Sequence, residues 1–483
     1  MGAPPLPYGF ARDEQVALAE GRLIAGPGAT VFGLREARRR GGAGLAPERL
    51  DAAAFEVRLA QLYQAGGGEE AGEDSLSFDL EERDAQGGPR DLLEDAAEAP
   101  VIQLVNQLLR RAIRAGASDL HVEPHEGGLR ARLRIDGMLQ TALDRADVPV
   151  RRVVSRLKVM AGLDIAETRL PQDGRIALRL GGRAIDLRVS TLPGHYGERV
   201  VMRLLDRAAG LMPLDALGLR PEQEAVLARL AARPNGIILA TGPTGSGKTT
   251  TLYSLLSLAN REERNIVTVE DPIEYDLPGV SQSQINAEIG MTFAAGLRAT
   301  LRQDPDIILV GEIRDGETAS VAAQAALTGH LVFSSLHANG SLGAVIRLRD
   351  LGLDDFVIAA TLRGIVAQRL LRRLCAHCAR EAPPTPEEAA GFTAAALPAP
   401  GVLRHAEGCE RCFETGYAGR VGVFEIVEIG EALRAAIDTG ASEQALVGLA
   451  LTPGQTLYGE ALRRVAAGET SLAEAQRVVG DLS

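Results

Sequence analysis

The sequence predicts a multidomain α/β protein, and three observations carry that prediction. Between Leu214 and Leu371, helical segments alternate with short apolar runs. One of those runs leads directly into Gly242-Pro243-Thr244-Gly245-Ser246-Gly247-Lys248-Thr249, and upstream, from Leu129, the apolar period changes to two. The first pattern is that of a parallel sheet covered by helices on both faces, and the last that of a separate α+β unit. At 483 residues the chain exceeds the size at which one core stops growing, so about three or more folded units are expected.

Taken in order, residues 1–65 contain short amphipathic patterns (Phe55, Val57, Leu59, Leu62, Tyr63) and read as a small adaptor domain. Residues 66–99 read as an acidic linker. Twelve acidic residues stand against two basic ones between Gly66 and Glu98, accounting for −10 of the net charge of −12. Such a composition buries no core. From 100 to 208 the reading is an α+β domain. Val101, Leu104, Val105, Leu108, Leu109 and Ile113 fall at helical spacing, with Gly116 placed to end the helix. Leu129, Ala131, Leu133 and Ile135 then alternate with Arg130, Arg132, Arg134 and Asp136, which puts three arginines on one strand face, and Asp136-Gly137 reads as a turn. Residues 209–371 are the α/β domain, 372–420 a cysteine-containing element and 421–483 a helical tail.

The composition excludes several classes. No uncharged apolar run approaches the roughly 18 residues that a membrane span needs, and Met1–Phe10 lacks a secretory signal pattern. A cytoplasmic protein is expected. With the linker's charge set aside the folded parts are nearly neutral, against the basic surface that nucleic-acid binding requires.

Gly242–Thr249 fits G-x-x-x-x-G-K-T between a buried strand, Ile237–Ala240, and a helix from Lys248. Glycines let backbone N–H groups turn inward around phosphates, Lys248 bridges the outer phosphates, and the Thr249 hydroxyl, with Thr250 beside it, is placed for Mg²⁺ and the phosphates. The loop does not distinguish adenine from guanine. Hydrolysis also needs a carboxylate beyond a buried strand. Glu312 follows Ile307-Ile308-Leu309-Val310-Gly311, with glycine where many such enzymes carry a metal-holding aspartate. Glu270, in Glu270-Asp271-Pro272-Ile273-Glu274, is the supporting carboxylate, with Glu274 either functional or a solvated strand end. His330 and His337 flank Leu331–Phe333, and each either senses the terminal phosphate or satisfies a core hydrogen bond. Arg132 and Arg134, with Arg175, either form an exposed polar strand side or reach the nucleotide when the domains close.

The four cysteines form Cys375-x-x-Cys378 and Cys409-x-x-Cys412. Two knuckles offering four thiolates fill a tetrahedral zinc shell, so a structural Zn²⁺ is expected, and His377 is not read as a ligand.

With these residues assembled, the chain resembles the secretion ATPases of the type II/type IV pilus superfamily, most closely the E-protein branch of the general secretory pathway. The matching segments are Ala117–Pro124, Arg132–Gly137, Pro171–Arg175, Gly197–Leu205, the phosphate loop, Thr268–Glu274, Leu309–Asp315 and Gly329–Asn339. The resemblance implies a RecA-like P-loop ATPase domain preceded by a PAS-like α+β domain, with an adaptor and a zinc-binding tetracysteine insert. It implies a homo-hexamer that hydrolyses ATP with Mg²⁺, Glu312 being the base and arginines crossing the cleft. The movement passes to an inner-membrane platform protein, F, to assemble a pseudopilus. Through Leu6–Ala11 it implies attachment to the cytoplasmic domain of a membrane L protein, and so a peripheral inner-membrane location. Ser335 and Ala338 stand where the family often has threonine, and Gly194-His195-Tyr196-Gly197 departs from its Ser-Gly-His-Gly. The alternatives are a pilus-extension ATPase, a DNA-transport ATPase and a nucleotide-binding scaffold without turnover.

Overall fold

The computed structural model describes Leu6, Ala11 and residues 14–19, 22–41, 46–51, 54, 55, 58, 78–80, 99–180, 183–206, 212–260 and 262–480. Two compact units are present, Met1–Asp79 and Leu80–Ser483. Most of the expected linker and of the Leu6–Ala11 motif lies outside the described residues, as do Val57, Leu59, Leu62 and Tyr63 of the amphipathic pattern.

In the first unit, β1 (Val16–Ala19) pairs antiparallel with β2 (Arg22–Ala25), which pairs parallel with β3 (Pro47–Arg49). The helix α1 (Val31–Gly41) packs on β1 and β2. The core is small: Leu6, Ala11, Val16, Leu23, Ile24, Ala37 and Phe55 are among its buried apolar members.

The second unit begins with α2 (Ala99–Arg114), β4 (Asp119–His125), β5 (Gly128–Ile135), β6 (Met138–Arg145), α3 (Val150–Met160), β7 (Gln172–Leu180), β8 (Arg183–Leu192) and β9 (Arg199–Asp206). The strands run β7-β8-β9-β4-β5-β6, each antiparallel to its neighbour. Helices α2 and α3 pack on each other and on the sheet, burying Val105, Leu109, Val153 and Leu157. Alternation along the strands then fixes the other face. Leu129, Ala131 and Leu133 are buried while Arg130, Arg132 and Arg134 are not. Asp136 and Gly137 turn the β5–β6 hairpin with φ of 48° and 84°, the left-handed pair that a two-residue hairpin requires.

The second part contains α4 (Pro221–Ala231), β10 (Gly236–Thr241), α5 (Lys248–Ala259), β11 (Ile266–Glu270), β12 (Ser281–Gln284), α6 (Phe293–Thr300) and β13 (Ile307–Val310). It continues through α7 (Gly316–Leu327), β14 (Leu331–Leu336), α8 (Gly343–Asp350), α9 (Asp355–Thr361) and β15 (Leu362–Leu374). The sheet order is β12-β11-β13-β14-β10-β15-β18, parallel except for β18 (Tyr417–Glu428), which pairs antiparallel with β15. Strand β13 illustrates the two-faced burial. Ile308 and Val310 join the core under α6 and α7, and Ile307 and Leu309 join the one under α4 and α5. All four are buried, as a doubly covered parallel strand demands. This is the RecA-like arrangement expected from the sequence.

One boundary is corrected. Residues 421–483 are not wholly helical, because Val421–Glu428 belong to β18, paired from Leu371↔Val421 to Gly364↔Glu428. The cysteine element is therefore an excursion between the last two strands of the sheet. Its small sheet, β16 (Arg380–Ala382) with β17 (Leu403–His405), and α10 (Pro386–Ala394) pack against α13 (Leu457–Ala466) and α14 (Leu472–Val479) through Phe392, Leu403, Leu462 and Ala475. Two further helices, α11 (Glu431–Asp438) and α12 (Glu443–Ala450), cover the α7 face. Among the described residues no helix is long and apolar enough to cross a membrane.

Candidate active site and metal centre

The phosphate loop is built by steric exclusion. Strand β10 is buried throughout and ends at Thr241, and α5 begins at Lys248. A side chain at Gly242, where φ is 144°, would meet Ser246 Oγ at 2.6 Å and the Gln368 carbonyl at 2.7 Å. One at Gly247 would meet Gln368 Nε2 at 2.8 Å. The backbone is thus pressed against β15, with Pro243, Thr244, Gly245 and Thr249 facing outward and Ser246 buried. Ser246 Oγ has no protein partner, and the start of α5 leaves N–H groups without helical acceptors, the combination that suits an anion. Lys248 Nζ lies on this loop, donating to the carbonyls of Gly242 at 2.8 Å and Pro243 at 3.1 Å. Burial lowers its pKa, partly offset by the Glu312 carboxylate. These residues fit a nucleotide triphosphate. Thr249, and Thr250 after it, would hold its Mg²⁺ and phosphates, and the metal's contribution is to neutralise charge on the transferred phosphoryl group.

Glu312 sits two residues past β13, its side chain 18% exposed, with Oε1 accepting from Arg314 at 2.5 Å and Oε2 lying 3.8 Å from His337 Nε2. The Arg314 hydrogen bond holds its carboxyl below the ordinary value against the opposing effect of burial, with His337 and Lys248 adding to the effect. The strand beneath is pinned by hydroxyls. Ser334 donates to the Val310 carbonyl at 2.7 Å and Ser335 to that of Gly311 at 2.8 Å. Ser335 therefore supplies at this position the hydroxyl that a threonine would.

Glu270 is 3% exposed and accepts from the hydroxyls of Tyr253 and Thr268 and from Gln282 Nε2. Tyr253 lies on α5, so this carboxylate joins the helix after the phosphate loop to β11. Burial first, then the Glu270 charge, raise the Tyr253 pKa and keep the phenol protonated as the donor.

The two histidines are separated by the whole length of β14. His337 follows the strand's carboxyl end, which aligns with Thr241 and the phosphate loop. His330 precedes the amino end, where its Nδ1 lies 2.9 Å from the Ala325 carbonyl and 3.1 Å from Thr328 Oγ1. Six residues of strand put it about 20 Å from the loop end of the sheet, so the phosphate-sensing reading of His330 is corrected to the core-bond reading. Replacing His330 by Ala is expected to leave ATP turnover within about twofold, whereas His337→Ala lowers it by about 10-fold or more. Phosphate-release assays of both variants check this, and the reverse ranking would overturn the placement.

The arginines sort by strand register. Arg134, Asp119, Arg203, Arg188 and Arg175 stand directly beside one another across β5, β4, β9, β8 and β7. Arg175, Arg188 and Arg203 line a cleft of about 620 Å³ with Asp119, Asp173 and Asp271. Arg188 already spans it, donating to the Ile273 carbonyl at 2.8 Å and lying 3.5 Å from Glu274. Asp271 is also close enough to act on Arg314, the partner of Glu312, so the cleft adjoins the Glu312–Arg314 pair. Of the expected arginines only Arg175 lies there. Arg132 is bound at two points, both 2.8 Å, by Glu123, and Arg134 donates to the Gly137 carbonyl with Asp119 3.5 Å away. Arg188 and Arg203 were the missed pair. Arg188 alternates with apolar neighbours in Ile185–Val189 and Arg203 stands alone in the apolar run Val201–Leu205, but neither pattern tells which strand lies next to which.

The four cysteine sulfurs converge within 4.8 Å of one another. Sγ separations are 3.9 Å (Cys375–Cys409), 3.8 Å (Cys378–Cys412) and 3.7 Å (Cys409–Cys412), against about 3.8 Å for the edge of a tetrahedron with roughly 2.3 Å zinc–sulfur bonds. The backbone supports thiolates. N–H groups of Cys409 and Gly416 each lie 3.2 Å from Cys412 Sγ. Although burial opposes ionisation, these donors and the neighbouring thiols bring Cys412 down to about 7. The left-handed residues Phe413 and Glu414, with φ of 52° and 61°, close the second knuckle. His377 instead places its ring against Arg411 Nη1. The donor set fits Zn²⁺, which all four cysteines would hold, and such a closed shell would supply structural rather than hydrolytic chemistry.

A phosphate loop entering a doubly covered parallel sheet, a carboxylate beyond the strand two places away and an arginine-faced module across a cleft define a RecA-like P-loop ATPase fold with a four-cysteine cluster able to hold a metal. The chain belongs to the Type II/IV secretion system protein family, whose pattern matches residues 94–477. The amino-terminal domain family of GSPII protein E matches residues 5–63. The chain is 47% identical to the type II secretion system protein E of Dickeya dadantii (strain 3937), covering 98% of this chain and 97% of that one. It is 48% identical to the type II secretion system ATPase E of Vibrio cholerae, over 89% and 86%. Among solved structures, the pilus retraction motor PilT with bound ADP is 27% identical, with a TM-score of 0.52, covering 77% of this chain and 95% of that one. The Legionella pneumophila ATPase DotB, at 22% identity and a TM-score of 0.56, shares the fold over 78% of this chain and 95% of its own.

Proposed function

We propose that this chain hydrolyses Mg-ATP to energise type II protein secretion, working as a homo-hexamer at the cytoplasmic face of the inner membrane. The observation that carries the reading is Glu312, held between Arg314 and His337 and close enough to Lys248 to act on its charge. A scaffold without turnover would have no use for a carboxylate in that position.

In this reading the outer phosphates draw Lys248 off the carbonyls of its own loop. Glu312 takes a proton from the attacking water, His337 senses the terminal phosphate, and Glu270 fixes α5 to β11 so that the loop keeps its shape. Arg175, Arg188 and Arg203 approach as the cleft closes. Closure is the mechanical step, because the arginine-bearing module and the phosphate-binding module meet on the charges of the nucleotide. The chain docks through residues 1–65 on the cytoplasmic part of a membrane L protein and passes movement to an inner-membrane platform protein, F, to build a pseudopilus. Zn²⁺ holds the cysteine element folded.

The likeness to a pilus motor supports a second reading, type IV pilus assembly. The GSPII protein E match over residues 5–63 and the secretion relatives over nearly the whole chain favour secretion. Co-purification with inner-membrane components, with and without residues 1–65, distinguishes the two. Capture of the secretion L protein only by the longer chain is the expected result, and capture of pilus-assembly components instead would transfer the protein to the second reading.

A further inference from the structure

Glu425 lies on β18, two strands away from the phosphate-loop strand, and none of the site residues above is near it in sequence. The residue is 7% exposed, and burying a charge there is unfavourable unless donors compensate. They do so from two directions. Oε1 accepts from the Ser341 backbone N–H at 2.8 Å and the Ser341 hydroxyl at 2.5 Å, and Oε2 accepts from the Leu457 N–H at 2.9 Å. Leu457 opens α13, so its N–H is one of the donors a helix start leaves free, and the helix dipole favours the anion.

Ser341 ends the segment His337-Ala338-Asn339-Gly340-Ser341, which leaves β14 carrying the histidine that faces Glu312. Two more bonds grip it from beneath. Thr241 Oγ1, at the last position of β10, donates to the Gly340 carbonyl at 3.1 Å. Arg369 on β15 donates to the Asn339 carbonyl at 2.7 Å, and its other nitrogen is the atom a side chain at Gly242 would meet at 3.2 Å. The loop is thus fastened to β10, β15 and β18 at three successive residues, while His337 stays exposed on the outer side. Thr241 and Arg369 hold single carbonyls. Glu425 alone grips through two donors of one residue.

We propose that Glu425 is the positioning residue that keeps His337 against Glu312 by anchoring the segment 337–341 to the outer antiparallel strand. This rests on the reading that His337 acts beside Glu312 at the terminal phosphate. A glutamine at 425 fills the same space and keeps one acceptor, but its amide nitrogen faces an N–H that needs an acceptor, so either Ser341 or Leu457 loses its bond.

The test compares full-length Glu425→Gln, Ser341→Ala, His337→Gln and the double variant Glu425→Gln/His337→Gln, measuring kcat and KM for Mg-ATP, affinity for a fluorescent ADP analogue, and melting temperature. Residues acting through one another are non-additive. Glu425→Gln is therefore expected to lower kcat about 10-fold with ADP affinity within about twofold, and the double variant is expected to be no slower than His337→Gln alone. Multiplying effects in the double variant, or an unchanged kcat in Glu425→Gln while His337→Gln is slow, overturns the proposal. An unimpaired His337→Gln removes the underlying reading, and the proposal with it. Should Glu425→Gln melt too early to assay, Ser341→Ala decides. That variant keeps both backbone donors, and a loss of about threefold or more in kcat that disappears in the His337→Gln background supports the clamp, whereas unchanged turnover refutes it.

Discussion

Glu312→Gln is expected to bind ATP with near-normal affinity and to hydrolyse it about 10²–10⁴-fold more slowly, the range associated with loss of a general base. Shape changes little, because the amide carbonyl still accepts from Arg314 and the strand below stays pinned by Ser334 and Ser335. What disappears is the anion. The Arg314 hydrogen bond and the nearby His337 and Lys248 keep that carboxyl's pKa low, so the group is charged throughout the neutral range. The sign of the linkage follows from the lowered value. The pair's stabilisation is present above the unfolded carboxyl pKa and is lost as pH falls through the folded one. Binding is expected to survive because Gly242–Thr249, the proposed phosphate cradle, is untouched by the substitution. Nucleotide titration and phosphate release on the same preparation give both numbers, and turnover equal to wild type would remove Glu312 from its role.

The second large effect is on structure. Cys375→Ser together with Cys409→Ser is expected to abolish stoichiometric zinc and to cost at least about 3 kcal/mol in the stability of the carboxyl-terminal region, since metal binding is coupled to folding of the site. The reason lies in what the knuckles hold. Cys375 directly follows β15, its N–H donating to the Gly416 carbonyl at 2.9 Å, and Gly416 leads straight into β18. Without the metal, the excursion between the two strands rests on the short β16–β17 pair and on the apolar contacts of residues such as Phe392, Ala395, Leu397 and Leu403. Metal analysis, a melting curve and limited proteolysis within 376–416 measure the outcome. Wild-type protein purified free of zinc, or a double variant melting at the wild-type temperature, would refute the assignment.

The two histidines explain how much of the site was legible. Their spacing of seven residues is compatible with either role for each, because a strand of unknown direction in the sheet has two ends, and only one meets the phosphates. The pairing of β14 with β10, Gly236 beside Leu331 and Thr241 beside Leu336, puts His337 at the loop and His330 at the far edge. The arginines repeat the lesson. Arg132 has the same local pattern as Arg188, yet Glu123 on the neighbouring strand binds it at two points, while Arg188 lines the cleft. The strand 421–428 was hidden for another reason: it follows the cysteine element and pairs with β15, and neither pattern nor propensity announces a partner some 50 residues upstream.

Groups whose chemistry is local were readable from the chain alone. The phosphate loop depends on glycines a few residues apart between a strand and a helix, and each thiolate pair on two cysteines in one turn of chain, so spacing specifies them. Glu312 was readable for the same reason, standing just beyond a four-residue apolar strand. Folding settled the rest: which arginines face the cleft, which histidine reaches Glu312, and that Glu425 grips the loop between them. Those outcomes are set by strand order and register, and hydrogen bonding between segments 84 residues apart, such as Ser341 and Glu425, leaves no periodicity in the chain.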